Sequence, residues 1–253
     1  MFSTDSVYIG VDLTSGHKRL TYAALDCDLN LVTLVEAGSN EAFAFLAEQK
    51  SAVVAVNAAS HVNHGIVKKN LQGQRLTPHS MHDEEMRVAE YELHQRGIAV
   101  RGTDAKESLC PPGVRAGFAF YKNLAKLGFE SYPCNDVPFQ WLETNSHACF
   151  YVLIGIRPLP KATLEGRLQR ELLLYELGLR IQDPMIFYEE ITRHKLMNGL
   201  LPFGLVHSSA QLDAMAAAYT AWQVVQKPTE VIRFGHRLEG FITLPVSALK
   251  EKY

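Results

Sequence analysis

Little in this chain ties it to a secreted, membrane-bound or disulfide-stapled class. Its four cysteines, Cys27, Cys110, Cys134 and Cys149, are widely spaced and form no CxxC pair. That predicts reduced thiols and argues against a sulfur-ligated metal. The opening MFSTDS lacks the basic start and apolar run of a secretory signal. No apolar run reaches the length of a membrane span, and the richest, ACFYVLIGI, is about half of one. The formal net charge of -2 supplies no global basic field, so a nucleic-acid partner would have to meet a local patch. No repeat, low-complexity tract or linker breaks the chain. These absences predict a cytoplasmic protein with no membrane partner. The 253 residues, 47% of them hydrophobic, are enough to bury a full core.

Three strand-like runs come first, at 7–13, 19–25 and 29–36, joined by the turn signals SGHK and DCD. Connections this short require antiparallel pairing, so the chain is expected to open as a three-stranded meander. Helical spacing over 40–49 is followed by the apolar β-branched run of 53–56, the pattern of a strand covered on both faces and parallel to its neighbour. Beyond it, 61–80 reads as loop and 81–95 as a surface helix ending at Gly97. An amphipathic helix is expected over 114–127, stopped by Gly128. FESYPC has strand character, 134–200 reads as mainly helical, and VIRFGHRLEGFITLP reads as a terminal hairpin. Before that hairpin, Ser208-Ser209-Ala210-Gln211 forms an S-x-x-Q capping box that starts a helix running to about Gln226. The alanines of AMAAAYTA leave this helix thin enough to lie close to a sheet.

Three acids stand out against this frame: Asp12 at the end of the first strand, Glu130 in FESYPC and Asp213 early in the alanine-rich helix. In a mixed sheet of order βββαβ…β…α the first strand is central, and the ends of its parallel neighbours gather beside it. Carboxylates brought together there repel, by about 1 kcal/mol at 4 Å in water and several times more near a protein interior, so the cluster calls for a cation. Oxygen-only ligation suits Mg²⁺ or Mn²⁺. Each acid also has a plainer reading: Asp12 as a turn former, Asp213 as a charge at the positive end of its helix, Glu130 as a solvated strand-end charge. His61 and His64 in SHVNH have the spacing of an incidental HxxH, and the run from His82 to Arg87 reads as a solvated helix face.

The segments IGVDLTSG, VVAVNAAS, MRVAEYELHQRGI, ESYP, LDAMAAAYTAW and EGFITLP together resemble an uncharacterised prokaryotic family of predicted nucleases with an RNase H-like fold, over nearly the whole chain. The resemblance implies a single domain over 1–253, with 60–112 and 134–206 as elaborations of the core. It implies Asp12, Glu130 and Asp213 as catalytic and metal-binding acids, with Arg87 and Glu90 as polar, substrate-binding residues at the rim. One position departs from the family pattern: where an aspartate is usual in a motif like IDAP, this chain has Val56-Asn57-Ala58-Ala59. Asn57 offers a metal a carbonyl oxygen but no charge. Metal-dependent hydrolysis of nucleic acid is therefore the leading expectation. A noncatalytic nucleic-acid or protein binding member of the fold and an ATP-dependent kinase or ATPase of the actin-like branch are the alternatives. GVDLTSG also resembles the first phosphate loop of the ATPases, but their second phosphate loop and adenosine-binding glycine motif are not evident.

Overall fold

The computed structural model describes residues 6–13, 19–71, 85–135 and 137–253. β1 (Val7–Asp12), β2 (Leu20–Leu25) and β3 (Leu31–Ala37) form the expected antiparallel meander. The turn SGHK between the first two lies outside the described residues. α1 (Ser39–Ala47) then leads into β4 (Ala52–Asn57), which pairs parallel with β1 as its unbroken apolar run implies.

The chain continues through α2 (Ile66–Leu71), α3 (Val88–Gln95), α4 (Pro112–Lys126), the two-residue β5 (Glu130–Ser131) and β6 (Phe139–Glu143). After these come α5 (Ser146–Ile154), α6 (Leu164–Glu176), the short α7 (Ile186–Glu189) and α8 (Arg193–Met197), and the long α9 (Ser209–Gln226). The hairpin of β7 (Ile232–His236) and β8 (Gly240–Leu244) closes the order. Among the described residues the strands make one sheet, β3-β2-β1-β4-β6-β8-β7, with β5 on the edge of β6. It is a mixed α/β architecture, with parallel and antiparallel strands flanked by helices, consistent with an RNase H-like fold.

Alternation along the central strands sorts the core into two faces. Tyr8, Val53, Ala55 and Leu142 point to α9 and pack with Ala214, Ala217 and Ala218. Ile9, Val11, Val54 and Val56 point the other way, to Phe120, Tyr121 and Leu124 of α4 and to Ala42 and Leu46 of α1. The small residues of α9 matter for distance. A Cβ on Gly10 would collide with the Ala214 carbonyl oxygen and the Ala218 amide, so helix and strand approach backbone to backbone. Ser208 caps α9 as read: its Oγ accepts from the Gln211 amide, and Gln211 Oε1 accepts from the Ser208 amide.

Two expectations change. The stretch 134–200 contains β6, a central strand, not helix alone. Its polar residues hide it: Gln140 is buried against the backbone of Cys134 and Val137, and Glu143 against Arg87 and Ser60, which are distant in sequence. The second change is at α3, which is not a surface helix: Ala89 and Leu93 are in the core, and Arg87 and Glu90 are buried. Residues 72–84, which hold the start of that expected helix, lie outside the described residues.

Candidate functional site

The parallel strands β1 and β4 finish side by side, with Asp12 level with Asn57. Both follow the alternation that points Tyr8 and Ala55 at α9, so both side chains lie on the α9 face. Asp213, one turn into α9, comes to the same place. Asp12 is 0% exposed and Asp213 is 3% exposed. Burial pushes the Asp213 carboxyl up, the Lys161 ammonium pulls it back, and the Asp12 charge raises it again, leaving it at about 6.

Asn57 settles the rest of the geometry. The Ser146 amide, at the start of α5, donates to Asn57 Oδ1 at 2.9 Å, and a backbone N–H can only donate. The oxygen must therefore face Ser146, which leaves Nδ2 to donate to Asp12 Oδ1 at 2.8 Å. Ser146 Oγ donates in turn to the Asp213 carbonyl at 2.7 Å, so one serine ties β4 to α9. An aspartate at position 57 would set two carboxylates at hydrogen-bond distance with nothing between them. Asn57 replaces that repulsion with an attraction, and both ends of its amide are used within the protein.

Cations border the pair on one side. Lys161 Nζ is 3.1 Å from Asp213 Oδ2, and its side chain is 45% exposed. Arg170 is buried over the Phe150 ring and donates to the carbonyls of Leu159 and Gly166. His147 is pushed down to about 4 by burial and then by Arg170, Lys161 and Arg157, which puts all three cations within electrostatic reach of one ring. No motif marks these residues. The only signal is that IRPLPKATLEGRLQR carries four cations around two prolines, just ahead of and into α6.

A second polar cluster lies at the same end of the sheet on the other face. Glu143 pairs with Val56, which points away from α9, and its carboxylate is gripped by Arg87: Nη2 to Oε1 at 2.6 Å and Nη1 to Oε2 at 3.1 Å. Ser60 adds its amide and its hydroxyl to Oε2. Arg87 Nε donates to Glu90 Oε1 at 2.8 Å, and Nη1 also reaches the Glu239 carbonyl. Burial pulls the Arg87 guanidinium down, but Glu143 and Glu90 outweigh it and hold it above its ordinary value. Glu239, fully buried, accepts from the Ile66 and Val88 amides at the starts of α2 and α3.

The sequence-predicted residues therefore separate. Asp12, Asn57 and Asp213 come together. Glu130 does not: it is exposed and level with Gln140, about 10 Å back along the strand from Glu143. Its nearest partner is Cys134, with Sγ 3.0 Å from Oε2. Arg87 and Glu90 are not rim residues able to hold a substrate, because both are buried and their polar atoms are already taken by Glu143, Glu239 and Thr103. His61 Nδ1 is 2.8 Å from Ser60 Oγ, and the His64 amide donates to Glu239. Among the described residues no group of three or more His, Cys, Asp or Glu side chains is placed to hold a metal ion. The donor set at Asp12 and Asp213 suits one hard cation completed by water, and not two.

Fold and site together define a mixed α/β protein of RNase H-like arrangement, with a buried carboxylate pair where its central parallel strands meet its last helix. The chain belongs to the DUF429 family, described as a protein family of unknown function, whose model matches residues 10–233. Comparison with curated proteins and with solved structures gives no match. No helix among the described residues is long and apolar enough to cross a membrane.

Proposed function

We propose that the chain is a metal-dependent phosphodiesterase acting on nucleic acid, with one Mg²⁺ or Mn²⁺ held by Asp12 and Asp213. One observation carries this reading: two buried carboxylates face each other closely enough for the charge of one to raise the other, beside Lys161, Arg157 and Arg170. Burying a like-charged pair costs stability that a bound cation would offset. When bound, the ion would polarise a phosphoryl oxygen and bring a water toward ionisation. The protein's own residues do the rest. Asn57 holds Asp12 in place, Ser146 fixes Asn57, and the exposed ammonium of Lys161 is free to leave Asp213 for a substrate phosphate. Arg157, exposed on the same side, adds to the local positive field that the bulk charge does not provide. Glu130 has no part in this scheme.

A noncatalytic binding protein is the second reading, favoured by the ion pair of Lys161 with Asp213, which already neutralises one acid without a metal. A cleavage panel separates the two: single-stranded, duplex, hybrid and branched nucleic acids with Mn²⁺ or Mg²⁺, run beside Asp12→Asn and Asp213→Asn. Cleavage that both variants abolish supports the phosphodiesterase. Cleavage that survives in both removes the assignment, and binding without cleavage on every substrate favours the second reading.

A further inference from the structure

A cavity of about 250 Å³ opens on the sheet face away from α9. It exists because the sheet forks. β5 pairs with β6 only at Gln140 and Trp141, and β8 joins the same edge of β6 only at Glu143. The gap between them is walled by Ser131 and Tyr132 on one side, Phe241 and Thr243 on the other, and Trp141 at the base. Arg233 and Arg237 from the β7–β8 hairpin reach the same cavity, and neither has a carboxylate partner among the described residues. Arg233 lies 3.9 Å over the Phe241 ring, which holds its guanidinium in one orientation.

The negative charge in the wall is already spent. Glu143 lines the cavity, but Arg87 and Ser60 occupy both its oxygens, so it does not oppose an anion. Thr243 is the independent pointer to a ligand: it is fully buried, it lines the cavity, and its Oγ1 has no hydrogen-bond partner. A buried hydroxyl without a partner costs free energy that a ligand atom would recover.

We propose that this cavity is a binding site for a nucleoside monophosphate, separate from the Asp12–Asp213 site. Two unpaired guanidiniums match the oxygens of a phosphate, and the Trp141 and Tyr132 rings offer faces to a base. The volume falls below the usual range of about 300–1,000 Å³ for larger ligands, which excludes a dinucleotide. Phosphate at Arg233 and Arg237 with the base toward Trp141 leaves Thr243 Oγ1 to bond a polar atom of the ligand.

The test is calorimetric titration of the full chain with adenosine 5′-monophosphate, with inorganic phosphate and adenosine as separate arms. Saturable binding with Kd below about 1 mM is expected, with each half of the ligand at least about tenfold weaker. Arg237→Ala, at an exposed position, should weaken binding about tenfold or more, and Thr243→Val should weaken it severalfold while leaving the fold intact. Asp12→Asn should leave Kd unchanged. No saturation in the millimolar range overturns the proposal, as does an Arg237→Ala variant that binds like the parent. Binding lost in Asp12→Asn but kept in Arg237→Ala would place the nucleotide at the other site and also overturn it. Phosphate binding as tightly as the nucleotide removes the role of the ring.

Discussion

The two faces of the sheet end in opposite electrostatic states, although the same strands carry both. Away from α9, Glu143, Glu90 and Glu239 are buried, and each is matched by Arg87, a hydroxyl or helix-start amides. Toward α9, Asn57 donates an amide to Asp12, and Asp213 pairs with one half-exposed lysine. The first cluster binds strands to helices and is structural. The second holds an acid at about 6, a tension that a cation would relieve. Burial alone therefore does not separate the two clusters; the raised carboxyl of Asp213 does.

Breaking either side should show this difference, the activity effects being largest. Asp12→Asn removes a carboxylate of the proposed metal site and, on the phosphodiesterase reading, should lower metal-dependent cleavage by at least the roughly hundredfold that loss of a supporting residue costs, measured as an initial rate at saturating Mn²⁺. Glu143→Gln attacks the other cluster: it leaves Arg87 without its bidentate partner and should cost about 3–5 kcal/mol in urea unfolding.

Asp213→Asn should do the reverse and stabilise the metal-free protein at neutral pH. The unfolded carboxyl titrates near 3.8 and the folded one at about 6, so between those values the folded state binds more protons and stability falls as pH rises. The destabilisation is complete above about 6 and worth about 2–3 kcal/mol. In EDTA the variant should melt above the parent at pH 7.5, and the difference should vanish near pH 4. A parent whose stability holds level across that window contradicts the assignment.

Asn57→Asp sharpens the comparison by adding the missing charge. The metal-free variant should lose stability by about 1–4 kcal/mol, the range for two close carboxylates from water to a protein-like dielectric. Mn²⁺ should restore it, with stoichiometry rising from one ion toward two. Lys161→Gln has the smallest expected effect, a stability change within about 1 kcal/mol because the side chain is half-exposed, together with a severalfold gain in Mn²⁺ affinity as the competing ammonium is removed.

The sequence revealed one face better than the other. Asp12 and Asp213 were legible because the meander, the buried β4 run and the capped alanine helix set their positions by local rules, and Gly10 with AMAAAYTA set the distance between them. Glu130 is displaced from the site because ESYP, despite its strand character, supplies only the edge strand β5, while β6, whose polar residues hide it, lies beside β4 and ends at Glu143. Arg87 looked solvated because its partners are distant in sequence, at Glu143 and Glu239. The basic rim of Arg157, Lys161 and Arg170 was illegible for the same reason, since only the fold brings 157–170 over the end of β1.

The central claim concerns the α9 face, and a Mn²⁺ titration followed by electron paramagnetic resonance tests it most directly. The parent chain should bind one Mn²⁺ per chain, Asp12→Asn and Asp213→Asn should each lose it, and Glu130→Gln should bind as the parent does. No binding at millimolar Mn²⁺, or binding that survives in Asp12→Asn, contradicts the account.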